Sequence, residues 1–171
     1  KNSLMRDMVR ESLGYPRAFT GNAATAYGHE HEDDARIEYA METGNAVEET
    51  GFHLHPHHDW MGASPDGLIG DEGLVEIKCP HSLRDAEEVP DDLLELTERD
   101  LYWNQMQCQM HVMSVDLCDF VVWSPQGMQV QTYHREDGWL GRCLDHCLPF
   151  LAYLKDILAD SDEAERIADM T

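Results

Sequence analysis

The chain has 171 residues, 42 % of them apolar, a length and composition that suit one domain with its own core. No apolar run approaches the ~18 residues of a membrane span, and no signal peptide is visible. Acidic residues number 34 against 12 Lys and Arg, a formal charge of −22, which excludes a broad basic surface for phosphate contacts. Binding to a polyanion must therefore rest on a local site in which metal ions supply the positive charge. The chain opens at Lys1 rather than Met, so further residues are expected before it. Five cysteines, an odd set without a CxxC pair, argue for a reducing, intracellular setting rather than a disulfide scaffold.

Residues 4–13 read as a short helix closed by Gly14 and Pro16, followed by a loop. Residues 23–43 read as a long helix, with Thr20 or Asn22 to cap its start and Gly44 to end it in the left-handed conformation. Glu32, Ala35 and Tyr39 fall on related turns, so Glu32 borders the buried stripe. Residues 46–55 alternate enough for a strand, and "DWMGAS" gives a second. "PDGLIG" and "LVEIKC" read as the arms of a hairpin around "DEG". Residues 91–99 look helical, and 101–113 read as a buried, Met-rich helix. "LCDFVVWS" and "MQVQTYHR" are two more strands, joined at Pro125, Gln126 and Gly127. Residues 139–159 form a closing helix, and 160–171 an acidic tail expected to fray. The order predicts an α/β fold: a central mixed sheet flanked by helices, in one domain over residues 1–171.

The hairpin holds the chemistry. In "LVEIKC" Val75, Ile77 and Cys79 point one way and Glu76 and Lys78 the other. A two-residue turn would pair Asp66 with Ile77 and put it on the wrong face. A three-residue loop or a bulge, which Gly70 and Gly73 both allow, pairs Asp66 with Glu76. Adjacent carboxylates repel unless a proton or a divalent cation intervenes. Oxygen ligands suit Mg²⁺ or Mn²⁺, and Mg²⁺ is commonly held by one or two carboxylates plus a substrate phosphate. Lys78 on the same face can contact that phosphate or help to position and deprotonate an attacking water. Such a set suits phosphodiester hydrolysis.

"SPDG" followed by "GLVEIKCP" closely resembles the lambda exonuclease and YqaJ-like viral recombinase family, within the PD-(D/E)xK nuclease superfamily. Three further blocks extend the resemblance over roughly residues 24–123: "YGHEHEDDARIEYAMETG" with Gly28, Glu32 and Tyr39, "HHDWMGASPDG", and "LYWNQMQCQMHVM" with its Gln-x-Gln pair. The resemblance implies that Asp66, Glu76 and the backbone carbonyl of Ile77 hold Mg²⁺, with Mn²⁺ as a substitute, and that Lys78 is the catalytic lysine. It implies that Glu32 sits near a second metal or its water and that Gln105 orients a water or a ligand. Ser64 and Arg84 match positions that grip a 5′-phosphate, a task for which a guanidinium's planar fork is suited. The family's earlier serine and arginine for that pocket lie upstream of the long helix and have no counterpart here.

By the same resemblance the protein is a cytoplasmic, bacterial or phage-encoded 5′→3′ exonuclease on linear double-stranded DNA. It would leave 3′ tails for homologous recombination, act as a trimeric ring and work with a single-strand annealing protein. Such a ring could line its channel with Lys and Arg and turn its acids outward. The alternatives are an endonuclease of the same fold and a non-catalytic DNA-end-binding module. The histidines at 53, 55, 57 and 58 lack a nearby cysteine pair to complete a zinc site. Cys143 and Cys147 share one helix face but supply only two ligands, so core packing is the reading there.

Overall fold

A computed structural model describes residues 2–15 and 21–170. The elements in chain order are α1 (Asn2–Ser12), α2 (Ala23–Thr43), β1 (Val47–Glu48), β2 (His53–His55), β3 (His58–Ala63), β4 (Gly67–Ile69), β5 (Gly73–Lys78), α3 (Leu101–Met113), β6 (Leu117–Ser124), β7 (Gly127–His134), α4 (Trp139–Ala159) and α5 (Ser161–Ala168). Contacts group them into two compact units, one of residues 21–137 and one joining residues 1–20 to 138–171.

The larger unit is built on a five-stranded sheet in the order β1-β4-β5-β6-β7. β5 and β6 run parallel; the other pairs are antiparallel. A parallel pair needs a long crossover, and α3 lies within the one that joins β5 to β6. Strand alternation divides the core. Val75, Ile77, Cys79, Val121 and Trp123 face Ala35 and Tyr39 of α2. Leu74, Cys118, Phe120 and Val122 face Met106 and Met110 of α3. β5 is thus buried on both faces, as a central strand must be. β2 and β3 form a separate two-stranded ribbon.

α2 starts and stops where its capping residues predict. Asn22 accepts a hydrogen bond from Thr25 N at 3.0 Å, and Gly44 takes φ 75° with its N–H on Ala40 O. The alternative cap Thr20 and the closing Pro16 lie outside the described residues. Below α2, the Tyr39 hydroxyl donates to Asp119 at 2.5 Å, and Thr132 donates to the same carboxylate at 2.6 Å.

Three expectations are corrected. The strand read over residues 46–55 is two strands in different sheets, β1 pairing with β4 and β2 with β3, with Gly51 in the break between them. The helix expected over 91–99 is only a 3₁₀ turn at Asp91–Leu94. There Tyr133 Oη accepts from Leu96 N at 2.8 Å and donates to Leu94 O, so a tertiary contact takes backbone groups that a helix would use. The acidic tail is ordered as α5. Asp160 caps it by accepting from Asp162 N and Glu163 N, both at 3.1 Å. Ala164, Ile167 and Ala168 join Met5, Val9, Leu154 and Ile157 in the core of the smaller unit. Arg10 of α1 donates to Ala168 O at 2.6 Å, which satisfies a carbonyl at the end of α5.

Gly67, which follows Asp66, is a residue that the fold needs small. A Cβ there would lie 2.3 Å from Val47 Cγ1 and 3.1 Å from Val75 Cγ1. Gly67→Ala is expected to destabilise the protein by about 1–3 kcal/mol, the usual range for overpacking. Urea denaturation checks this; an unchanged midpoint would show that β1 gives way without cost.

Candidate active site

The β4–β5 hairpin has the odd loop that the carboxylate pairing requires. Ile69 pairs with Gly73 and Gly67 with Val75, leaving residues 70–72 as a three-residue loop with Gly70 at φ 57°. Carrying that register one step further sets Asp66 opposite Glu76. The Asp66 carboxylate accepts from Ile77 N at 2.7 Å, which fixes it against β5. Asp66, Glu76, Ile77 and Lys78 line an open cleft of about 470 Å³, within the size range of ligand sites. Glu32, His29 and Thr25 of α2 and Tyr102 and Gln105 of α3 line it too.

Glu76 is 1 % exposed, and a carboxylate so placed needs donors. Its Oε1 accepts from Lys78 Nζ and from Gln105 Nε2, the latter at 2.6 Å. Its Oε2 accepts from Gln109 Nε2 at 2.6 Å. Lys78 Nζ also lies 4.9 Å from the centre of the Tyr102 ring. Burial disfavours the Lys78 ammonium, but Glu76 and Asp66 outweigh it and raise the pKa, so Lys78 stays charged. Asp66 is pushed up to about 7, by burial first and then by the negative charge of Glu76. Cys79, also in the cleft wall, is pushed up to about 12 by burial and by the carboxylates of Glu32 and Asp66, which makes it an inert thiol.

The structure thus brings together Asp66, Glu76, Lys78, Glu32 and Gln105. Glu32 also pairs with Arg36 at 3.2 Å. Ser64 and Arg84 are exposed and do not line the cleft; the Arg84 guanidinium donates to His81 O at 3.0 Å and pairs with Asp85 at 3.1 Å. Gln107, two residues after Gln105, turns away and is bonded to His134 O and Glu136 N. Sequence reasoning missed Gln109 and Tyr102. The signal was helical spacing: Tyr102, Gln105 and Gln109 stand three and four residues apart, on one face of α3.

The donors fit a hard divalent cation. Among the described residues no three His, Cys, Asp or Glu side chains are arranged to hold a metal ion by themselves. Two carboxylates with a backbone carbonyl suit an ion that keeps several waters, as Mg²⁺ does. The Ile77 side chain is committed to the core under α2, so its backbone is the part left for the cleft. The raised pKa of Asp66 means that the folded state holds its proton more tightly than the unfolded state does. Its contribution to stability is greatest below the ordinary carboxylate range and is lost as pH rises towards 7. In chelator at pH 8, Asp66→Asn is expected to melt above the parent, and added Mn²⁺ is expected to raise the parent's melting temperature more than the variant's. Identical melting curves in both conditions would contradict this assignment of Asp66.

Known proteins share this fold. Residues 1–116 match the model of the YqaJ-like viral recombinase domain. The uncharacterized protein R354 of Acanthamoeba polyphaga mimivirus is 27 % identical over 127 residues, and the match takes in 67 % of this chain and 22 % of that protein. The chain therefore spans about a fifth of that relative's length. The crystal structure of LHK-Exo in complex with dAMP is 31 % identical, with a TM-score of 0.75 over 92 % of this chain and 80 % of that one. A second structure of LHK-Exo, an alkaline exonuclease from Laribacter hongkongensis, is 30 % identical over the same shares, with a TM-score of 0.73. A phage-related exonuclease from Haemophilus somnus, 18 % identical, shares the fold with a TM-score of 0.67 over 98 % of this chain and 80 % of its own. The α/β architecture expected of a PD-(D/E)xK nuclease is the one observed, and the chain belongs to the YqaJ-like viral recombinase domain family.

Proposed function

We propose that the protein is a Mg²⁺-dependent deoxyribonuclease that degrades one strand of linear duplex DNA from its 5′ end and leaves 3′ single-stranded tails for recombination by annealing. The observation that carries this reading is the convergence of Asp66, Glu76 and Lys78 in one cleft. Similarity to LHK-Exo, an alkaline exonuclease whose structure holds dAMP, supports it.

Asp66, Glu76 and the Ile77 carbonyl would hold the cation, with Mn²⁺ as a substitute. When bound, the cation supplies Lewis-acid polarisation of the phosphodiester and a water of lowered pKa. Lys78 places a positive charge where the scissile phosphate gains negative charge, and Tyr102 and Glu76 limit its motion. Gln105 holds Glu76 from the cleft side, and Glu32 faces the same space from α2, where it suits a second cation or its water. We assign the 5′-phosphate to Ser64 and Arg84, which are exposed on segments flanking the cleft: Ser64 precedes Pro65 and Asp66, and Arg84 follows the turn that carries His81. Family membership supports a ring of three copies and a single-strand annealing protein as partner. No helix among the described residues is long and apolar enough to cross a membrane.

The test offers the protein Mg²⁺ with an end-labelled linear duplex bearing 5′-phosphates and with a covalently closed circle. The linear 5′ strand is expected to shorten while the circle survives, and chelator is expected to stop the reaction. Cutting of the circle would establish an endonuclease instead, and inactivity on both would favour a binding module. Lys78→Met is expected to lower kcat by about 10²–10³, the typical cost of losing one preorganised donor to developing charge. A variant within threefold of the parent would remove Lys78 from the mechanism.

A further inference from the structure

We infer that Gln109, which lies outside the D…ExK motif, is a positioning residue that fixes the Glu76 carboxylate as a metal ligand. The inference rests on the nuclease reading of the cleft. Glu76 is held from two sides. Lys78 and Gln105 reach its Oε1 and line the cleft, where substrate enters. Gln109 reaches Oε2, is 2 % exposed and does not line the cleft. When Lys78 turns to a phosphate, the Gln109 contact is the one that substrate does not disturb.

The chemistry of the amide points the same way. Its nitrogen must face Glu76, because its oxygen there would oppose an acceptor. The same nitrogen lies 3.5 Å from Ser64 O, at the long limit for a hydrogen bond, so one amide touches both β5 and the segment that leads through Pro65 to Asp66. The amide oxygen is buried and, among the described residues, has no hydrogen-bond partner. An unpaired acceptor is a liability in a core. Met106 and Met110 beside it are fully buried, so an apolar side chain of similar length would suit the packing better. The donor end of Gln109 accounts for the amide. As a neutral donor it steers the carboxylate without competing for it as a cation would. Outer contacts of this kind commonly change metal affinity or activity by about 10–100-fold.

Gln109→Met keeps the length and removes the donor. Calorimetric titration of the whole protein with Mn²⁺, without DNA, is expected to show binding weakened about tenfold or more. On linear duplex DNA, kcat is expected to fall about 10–100-fold with KM within twofold. Gln107→Met, on the same helix and fully buried, controls for packing: it is expected to lower the melting temperature and leave Mn²⁺ affinity unchanged. Gln109→Asn, an amide one methylene short of Glu76, gives the same test if the methionine variant does not fold. A folded Gln109 variant with parental Mn²⁺ affinity and kcat would overturn the inference. Asp66→Asn separates the two levels. If it abolishes Mn²⁺ binding while Gln109→Met does not, only the role of Gln109 fails; if neither variant changes binding, the reading of the cleft fails with it.

Discussion

The structure turns on one carboxylate buried between a sheet and a helix. Glu76 stands on the central strand, 1 % exposed, with three nitrogen donors on its two oxygens. An uncompensated charge in such a place would unfold a domain of ordinary stability. Much of the surrounding architecture can be traced to its satisfaction. α3 must cross this face of β5 with two glutamines one turn apart, and methionines must fill the remainder of that face. The hairpin must have an odd loop, so that Asp66 arrives beside Glu76 rather than behind the strand.

The same constraint gives sense to the charge. A protein at −22 repels a polyanion at long range, and basic residues do little to offset this in the cleft. Lys78 is held by Glu76, and Arg36, beside the cleft rather than in its wall, is shared among Glu32, Asp33 and Glu49. The cleft therefore gathers carboxylates about one lysine, an arrangement suited to concentrating small cations.

Most of this was legible in the sequence because its signals were local. Alternation along "LVEIKC" placed Glu76 and Lys78 on one face, and parity alone demanded the odd loop. Asn22 and Gly44 bounded α2 by cap chemistry. The misses are tertiary. Nothing near Leu94 announces that Tyr133, 39 residues away, takes its carbonyl. The acidic content of 160–171 hid the spacing of Ala164, Ile167 and Ala168, which bury one face of α5. Gln109 was overlooked because the resemblance directed attention to Gln105 alone among the glutamines at 105, 107 and 109. Periodicity separates them: 105 and 109 share a helix face, whereas 105 and 107 do not.

The topology also fixes the order in which the site can come into being. Asp66 and Glu76 are only ten residues apart and meet through a hairpin, a contact that closes on the microsecond scale. The amides that neutralise Glu76 come from α3, 29 and 33 residues along the chain, after a crossover with two 3₁₀ turns. Closing that larger loop is entropically dearer. Until α3 docks, Glu76 keeps its water and the central strand cannot be covered. The geometry about Glu76 and the burial of β5 are then one cooperative event, so loss of the cleft and loss of the core should coincide on heating rather than occur in succession.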